Sequence, residues 1–407
     1  MKIVFCSNMY SDIEEDIRRS KEANPASGHI LQKNFLQGLL ENGKDVHVIN
    51  ASRVRRFPLY PQVIFHRRPF YHDGDGSGID VGFINLFGLN HFTKMINIYR
   101  ELKKAVRSAK KEGPVLIFTW NSSIDMTIPI LIMKKRDSNV MSCDIIGDLY
   151  GQYSAPNRDS NPLTRKMIRA IENRTDRLSQ RFDSFVFLTP YMAQALKVAD
   201  RPYTIVEGIY AGDTNAPPPP KDTGDIDGKM IFYAGSIHED YGILHLVRAF
   251  RLIEDPSYSL YIAGGGNTAG TLKEYEKMDG RIHYLGELPP SEVKKYQQKA
   301  TALISPRTSD GIYVRYSFPS KTMECLASGK PFIAHRLPCE PPEYSRYIQY
   351  PDNETDEALR DKIVEICGSP QEKRDEIGEA ARLFILNEKN PRAMTKRVIE
   401  MWEKMDM

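Results

Sequence analysis

Two runs of alternating apolar and amphipathic segments, one on each side of four consecutive prolines, constrain what this 407-residue chain can fold into. On the N-terminal side, KIVFCSN is a short apolar run, β-branched in part, and reads as a buried strand. HILQKNFLQGLLENG then places Ile30, Leu31, Phe35, Leu36, Leu39 and Leu40 on one helical face and stops at Gly43. KDVHVINA is a second strand. Strand, helix, strand is the unit of a parallel sheet, because parallel neighbours need a crossover. The unit recurs where PVLIFTW and SCDIIGDL bracket a helical segment, and again where FDSFVFLT precedes the helix PYMAQALKVA. GDTNAPPPPKDTGDIDGK, Gly212 to Lys229, is an extended, semi-rigid connector. Beyond it the alternation restarts with MIFYAGS, ILHLVRAFRLI, YSLYIAGG, TLKEYEKM, RIHYLGEL, PSEVKKYQQKA and TALISP. The expected fold class is therefore α/β, two Rossmann-like doubly wound domains, with a ligand site between them at the carboxyl ends of the strands. The expected boundaries are 1–212, a linker over 213–229, and 230–389.

Composition narrows the class. Hydrophobic content of 41% and charged content of 27% suit a soluble globular protein, and a net charge of +3 is too weak to argue for nucleic acid. Cys6, Cys143, Cys325, Cys339 and Cys367 are scattered without a C-x-x-C pair, which points to a reducing compartment and away from a zinc cluster. No apolar run approaches the length of a membrane span, and MKIVFCSNMYSDIEED turns acidic where a signal peptide stays apolar. The expectation is a cytoplasmic protein.

YSFPSKTMECLASGKPFIA, Tyr316 to Ala334, is built like an anion site. Pro319 suits the first turn of a helix, where its missing N–H would be unpaired anyway. The amides of Ser320, Lys321 and Thr322 then point out of the helix start, and Lys321 adds a full charge beside them. Met323, Leu326 and Ala327 form the apolar face, leaving Glu324 on the side of Ser320 and Lys321. Glu324 also fits the plainer role of offsetting the helix dipole. Gly264–Gly266 after a strand reads either as a tight turn or as a close approach to a nucleotide; a dinucleotide fingerprint would sit on a first strand instead.

From about Met230 to Glu388 the chain resembles the retaining GT-B glycosyltransferases of the family-four (group 1) type. The resemblance rests on YAGSIHEDYGILHLVRAF, LYIAGGG, RIHYLGELPPSEVKKYQQKATALISPR and YSFPSKTMECLASGKPFIA, in order and at family spacing, the last being the Pro–Ser–Lys variant of the family's glutamate motif. SGHILQKNFLQGLLENGKDVHVINA and SFVFLTPYMAQAL…YTIVEGIY are looser matches, and Ser52 to about His91 matches nothing assignable. The resemblance implies a GT-B fold, with 390–407 crossing back to the first domain. It further implies metal-independent transfer of a hexose-type sugar from a nucleotide sugar, UDP-linked by expectation, with no cofactor. The acceptor would be a glycan or lipid-linked saccharide of the bacterial envelope. The donor site implied comprises Gly235, Ser236, Gly264, Gly265, Leu285, Arg307, Arg315, Ser317, Phe318, Pro319, Ser320, Lys321, Thr322 and Glu324, with Glu324 accepting the ribose hydroxyls. Asp148, Lys321 and Tyr316 are the candidate catalytic residues, and Gly28 lies where a phosphate or acceptor approaches the backbone. No metal ligand is expected.

Three positions depart from the family. Tyr316 stands where a first glutamate is usual. Ser236 or His238, and Tyr241–Gly242, stand where an Arg and a Lys–Gly pair hold the diphosphate. Gly147 replaces a His before Asp148. These departures keep open a second reading, a non-catalytic partner subunit of another glycosyltransferase, and more distantly a GT-B epimerase or phosphorylase. Finally, RVRRFPLYPQVIFHRRPF carries Arg53, Arg55, Arg56, Arg67 and Arg68 among aromatics without an acid, which suits peripheral contact with an anionic membrane through 53–70. LTRKMIRAIENRTDRLSQR, with Arg165, Lys166, Arg169 and Arg177, reads as a solvated basic helix.

Overall fold

The computed structural model describes residues 2–11, 26–70, 78–109, 113–121, 123–149, 174–212 and 228–405. The Pro-rich linker and Arg165, Lys166 and Arg169 lie outside the described residues. The chain divides into two compact units: Met1–Ala211 with Tyr316–Phe318 and Asn390–Met407, and Gly212–Arg315 with Pro319–Lys389.

The first unit is built on an eight-stranded sheet. Its strands are β1 (Lys2–Ser7), β2 (Val46–Asn50), β4 (Arg68–Pro69), β5 (Gly78–Asp80), β7 (Val115–Trp120), β8 (Val140–Ile146), β9 (Ser184–Phe187) and β10 (Tyr203–Ile205), in the order β10-β9-β8-β7-β1-β2-β5-β4. All neighbours run parallel except β4 with β5. β3 (Ile64–Phe65) and β6 (Phe83–Ile84) form a separate antiparallel pair. The central strands are buried over nearly their whole length because helices cover both faces, which is why they read as mostly apolar runs. Helices α1 (Ala26–Glu41), α2 (Leu89–Ala109), α3 (Ile124–Arg136) and α4 (Tyr191–Ala195) belong to this unit. The α1 stripe is narrower than its spacing suggests. Phe35, Leu36 and Leu39 are buried, whereas Ile30 in the first turn is 47% exposed.

The second unit holds a fully parallel six-stranded sheet. Its strands are β11 (Lys229–Ala234), β12 (Tyr258–Ala263), β13 (Ile282–Gly286), β14 (Ala302–Ser305), β15 (Phe332–Ala334) and β16 (Ile348–Gln349), in the order β13-β12-β11-β14-β15-β16. Helices α5 (Ile243–Arg251), α6 (Ala269–Met278), α7 (Pro290–Lys299), α8 (Ser320–Ala327), α9 (Asp356–Gly368) and α10 (Gln371–Glu388) complete it. α11 (Pro391–Met405) packs in the first unit, with Trp402 fully buried and edge-on to Phe118 at 6.3 Å.

The α/β class expected from the alternation is the class observed. Among the described residues, no helix is long and apolar enough to cross a membrane.

Candidate functional site

β11 is flanked by β12 on one side and β14 on the other, so the winding of the second unit reverses between β11 and β14. Loops leaving the carboxyl ends of strands diverge at such a point and leave a crevice for a ligand. Three loops line it here. The loop after β11 is tied to the one after β12 by Gly235 N to Ala263 O (3.0 Å) and Ile237 N to Gly265 O (3.1 Å). Gly264 has φ +144°, and a Cβ on it would lie 1.7 Å from the Gly235 carbonyl oxygen. Glycine is therefore required there for steric and conformational reasons together. Gly242 also seats closely against the Pro306 carbonyl of the third loop, which would lie 2.2 Å from a Cβ placed there.

That third loop carries Arg307. Its side chain is only 8% exposed, with the guanidinium 5.6 Å from the Tyr241 ring and 5.1 Å from the Tyr313 ring. Tyr313 is fixed in turn by its hydroxyl, which donates to the Asp240 carbonyl at 3.2 Å. The two ring faces attract the cation, but among the described residues the buried Nε has no hydrogen-bond acceptor. Burying a guanidinium N–H unpaired is costly, so such a group calls for a partner the chain does not supply, whether an ordered water, an ion or a ligand. Its field reaches the loop after β15: burial pushes the Cys339 thiol up to about 12, with Glu340 pushing the same way and Arg307 pulling against both.

Glu340 sits in that loop. Burial pushes its carboxyl up to about 7, although the Tyr350 hydroxyl (2.9 Å) and the Leu337 amide (3.3 Å) both donate to it and favour the charged form. A carboxyl raised above its unfolded value stabilises the fold most below the unfolded pKa, near 4.5. That stability is lost as pH rises to about 7. Glu340→Gln, which cannot ionise, is therefore expected to raise the melting temperature at pH 8 and to leave it nearly unchanged at pH 4.5. Thermal unfolding of both proteins across this range checks the sign.

α8 supplies the remaining second-unit candidates. Pro319 is extended (φ −70°, ψ 110°) and caps the helix rather than opening it, so Ser320 is the first helical residue. The Thr322 amide donates to the Pro319 carbonyl at 2.9 Å and is not one of the outward-pointing donors expected. Met323 and Leu326 are buried, and Lys321 bonds Glu324 at 2.9 Å with both side chains about half exposed. Ser236 and Arg315 are exposed, while Gly235, Gly265 and Leu285 are half-buried. Tyr316, Ser317 and Phe318 group with the first unit, where Tyr316 packs against the β-sheet core and Phe318 is buried.

In the first unit, Asp148 lies two residues beyond β8, beside the end of β7. Asn121 follows β7 in the left-handed region (φ 49°), and its side-chain oxygen accepts from the amides of Gly147 (2.6 Å) and Asp148 (3.3 Å). Gly147 leaves room for the Trp120 indole, which would lie 2.8 Å from a Cβ placed there. Burial raises the Asp148 carboxyl, opposed by the Arg53 charge and the Asn121 hydrogen bond. Arg53 and Trp120 also border Gly28. Asp148 and Gly28, two separate sequence candidates, thus share the neighbour Arg53, and Trp120 lies against both Gly28 and the Gly147 that precedes Asp148. Sequence reasoning gave Asn121, Trp120 and Tyr313 no role and read Tyr241 only as a departure from the usual cation clamp; the importance of both tyrosines comes from the cation between them.

Residues 220–384 match the family model Glycosyl transferases group 1. The second unit thus carries a group 1 domain, and all the loops around Arg307 fall within it. No curated protein matches the chain. Among solved structures, the sucrose-phosphate synthase of Thermosynechococcus elongatus is similar at TM-score 0.64 and 15% identity, covering 100% of this chain and 99% of that one. The Anabaena protein HepE in complex with UDP is similar at TM-score 0.58 and 12% identity, over 99% of this chain and 100% of that one. The lipopolysaccharide outer core galactosyltransferase WaaB gives TM-score 0.58 and 12% identity, over 100% of both chains. These likenesses extend the GT-B fold class over the chain beyond the group 1 domain.

Proposed function

We propose that this chain is a retaining glycosyltransferase. It moves a sugar from a UDP-sugar donor to a glycan or lipid-linked saccharide acceptor in bacterial envelope polysaccharide biosynthesis. The observation that carries the reading is Arg307, a buried guanidinium whose Nε–H has no partner among the described residues, at the winding reversal of the group 1 domain. When the bond between the anomeric carbon and the β-phosphate oxygen breaks, the electron pair leaves with the nucleoside diphosphate. Negative charge then builds on the phosphate, and a preorganised cation in a dry site stabilises it most. Arg307, held between Tyr241 and Tyr313, supplies from β14 the charge that the loop after β11 lacks at Tyr241–Gly242. Charge from the chain itself makes the proposed reaction metal-independent and cofactor-free.

Retention places the new bond on the face the leaving group vacates. The acceptor hydroxyl oxygen bonds the anomeric carbon there, and its proton passes to the departing phosphate oxygen. Asp148 orients that hydroxyl by accepting a hydrogen bond from it, and burial raises its carboxyl above the usual range. Glu324 takes the ribose hydroxyls, exchanging Lys321 for them, while Lys321 turns to phosphate. UDP is the nucleotide in the HepE complex, and WaaB is a lipopolysaccharide galactosyltransferase. Both support the choice of donor and acceptor class.

The test is protection from thermal unfolding by a panel of UDP- and GDP-sugars, followed by the anomeric configuration of the product. Glu324→Ala is expected to weaken UDP-sugar binding about 100-fold, the loss of two hydrogen bonds to a charged group. A 2′-deoxyribose donor should bind wild type more weakly and the variant unchanged. Failure of every nucleotide sugar to bind would overturn the enzyme reading in favour of the partner-subunit one.

A further inference from the structure

Residues 52–92, nearly all of them in the segment from Ser52 to about His91 that matches nothing assignable, hold the most exposed large apolar side chains of any such stretch among the described residues. Six of the fourteen exposed large apolar side chains fall here: Phe57 (44%), Leu59 (54%), Ile64 (55%), Phe87 (85%), Leu89 (45%) and Phe92 (55%). The fold gathers them around one buried side chain. Asn85 donates to the carbonyls of Arg55 (3.0 Å) and Gln62 (3.2 Å), and its own carbonyl accepts from Phe57 N at 3.3 Å. Its side-chain oxygen accepts from Asn90 in the first turn of α2 at 2.8 Å. β3 pairs with β6 alongside, Ile64 opposite Ile84. Three segments distant in sequence are thus clamped together so that their apolar side chains remain outside. A fold that only needed burial would have turned Phe87 inward.

The charge around this surface has one sign. Neither 46–70 nor 81–100 contains an acid. Among the described residues, the neighbouring acids are withdrawn and paired. Asp80 is held by Arg68 (3.1 Å), Glu101 by Arg67 (3.1 Å) and Lys104 (2.9 Å), and Asp125 faces His91 (3.6 Å). Arg67 and Arg68 neutralise these acids while their own side chains stay more than half exposed, at 54% and 56%. Exposed cations here that form no ion pair with an acid among the described residues include Arg53, Arg56 and, further along α2, Arg100 and Arg107. Arg56 lies over the Phe87 ring at 5.3 Å. Helical spacing puts Phe92, Ile96, Arg100, Lys103 and Arg107 on one side of α2.

We infer that this face docks on an anionic lipid bilayer, with Phe87 and its apolar neighbours entering the headgroup–acyl boundary and Arg56, Arg100 and Arg107 engaging lipid phosphates. A protein partner would pair such a cationic rim with acids of its own, and a second copy of this chain presents the same cationic face and would repel it. A bilayer with anionic headgroups takes both the protruding aromatics and the unopposed arginines. The docking surface lies within the first unit and does not depend on the chemistry assigned to the group 1 domain.

Sedimentation of the full chain with vesicles tests this. The chain is expected to bind vesicles containing phosphatidylglycerol, to bind phosphatidylcholine vesicles at least ten-fold more weakly, and to be released by salt. Phe87→Ser and Phe92→Ser are each expected to weaken binding about ten-fold, the loss of one buried aromatic. Arg56→Glu should weaken it and blunt its salt dependence. Protection of these variants by UDP-sugar should match wild type, which shows that they are folded and separates this inference from the catalytic one. Three outcomes would each overturn it: no binding to anionic vesicles, equal binding to both kinds, or binding indifferent to both Phe substitutions. A dimer in solution that Phe87→Ser dissociates would overturn it as well, by assigning the surface to a second copy.

Discussion

Arg307→Ala is expected to lower sugar transfer about 100- to 1,000-fold, the range lost when one preorganised donor to a developing negative charge is removed. The loss should appear in turnover more than in donor affinity, because the charge grows as the diphosphate leaves. Arg307→Lys keeps the charge but not the planar contact with both rings, so it should recover only part of the rate. A structural role alone predicts something different. Substituting a cation clamped between Tyr241 and Tyr313 would then lower the melting temperature, and the activity per folded molecule would stay unchanged. Turnover measured beside thermal unfolding separates the two. Arg307→Ala with full activity would remove the main support for the proposed chemistry.

The largest effect on folding is expected from Gly264→Ala. The added Cβ would have to share space with the Gly235 carbonyl, a backbone atom that cannot rotate away, at a φ of +144° that an L side chain rarely adopts. Strain of this kind costs about 3 kcal/mol, which for a unit of this size lowers the melting temperature by about 10 °C. Gly43 provides the control. It also has positive φ (+71°) but nothing within 4 Å of the added atom, so Gly43→Ala should cost only about 1 kcal/mol. Equal effects at the two sites would show that the contact between the loops after β11 and β12 is looser than the geometry indicates. Loss of UDP-sugar protection should accompany Gly264→Ala, since moving either loop moves the Arg307 surroundings.

Fully buried parallel strands announce themselves because both faces are apolar. Phe5, Phe118, Ile145, Ile231 and Ile262 were therefore readable as strand residues without any partner being known. Helix edges were less readable. Ile30 continues the α1 stripe but lies in its first turn beyond the sheet, and Pro319 fits a cap as well as a first turn because its fixed φ serves both. The segment from Ser52 to His91 was opaque for a different reason. Its strands are two or three residues long and carry no period, and their partners are fixed by Asn85, whose role is visible only once three distant segments meet. In the candidate site, the glycines and the Pro–Ser–Lys turn were visible as local chemistry. Arg307 was visible as one cation among three. What distinguishes it is burial between two tyrosines, one of them on a different strand's loop, together with an unmatched N–H. None of these is a property of the neighbouring sequence. The raised carboxyl of Glu340 is likewise set by burial among residues from the β15 and β16 loops.

The position of α11 has a consequence for how the molecule is made. Trp402 fills a slot against Phe118, and the Pro391 carbonyl rests against Gly38 so closely that no side chain fits between them. The ribosome delivers these residues only after the whole second unit. Until then the sheet of the first unit has an open apolar trench, while the group 1 domain already has its full set of strands. The half made first is therefore the half that finishes last.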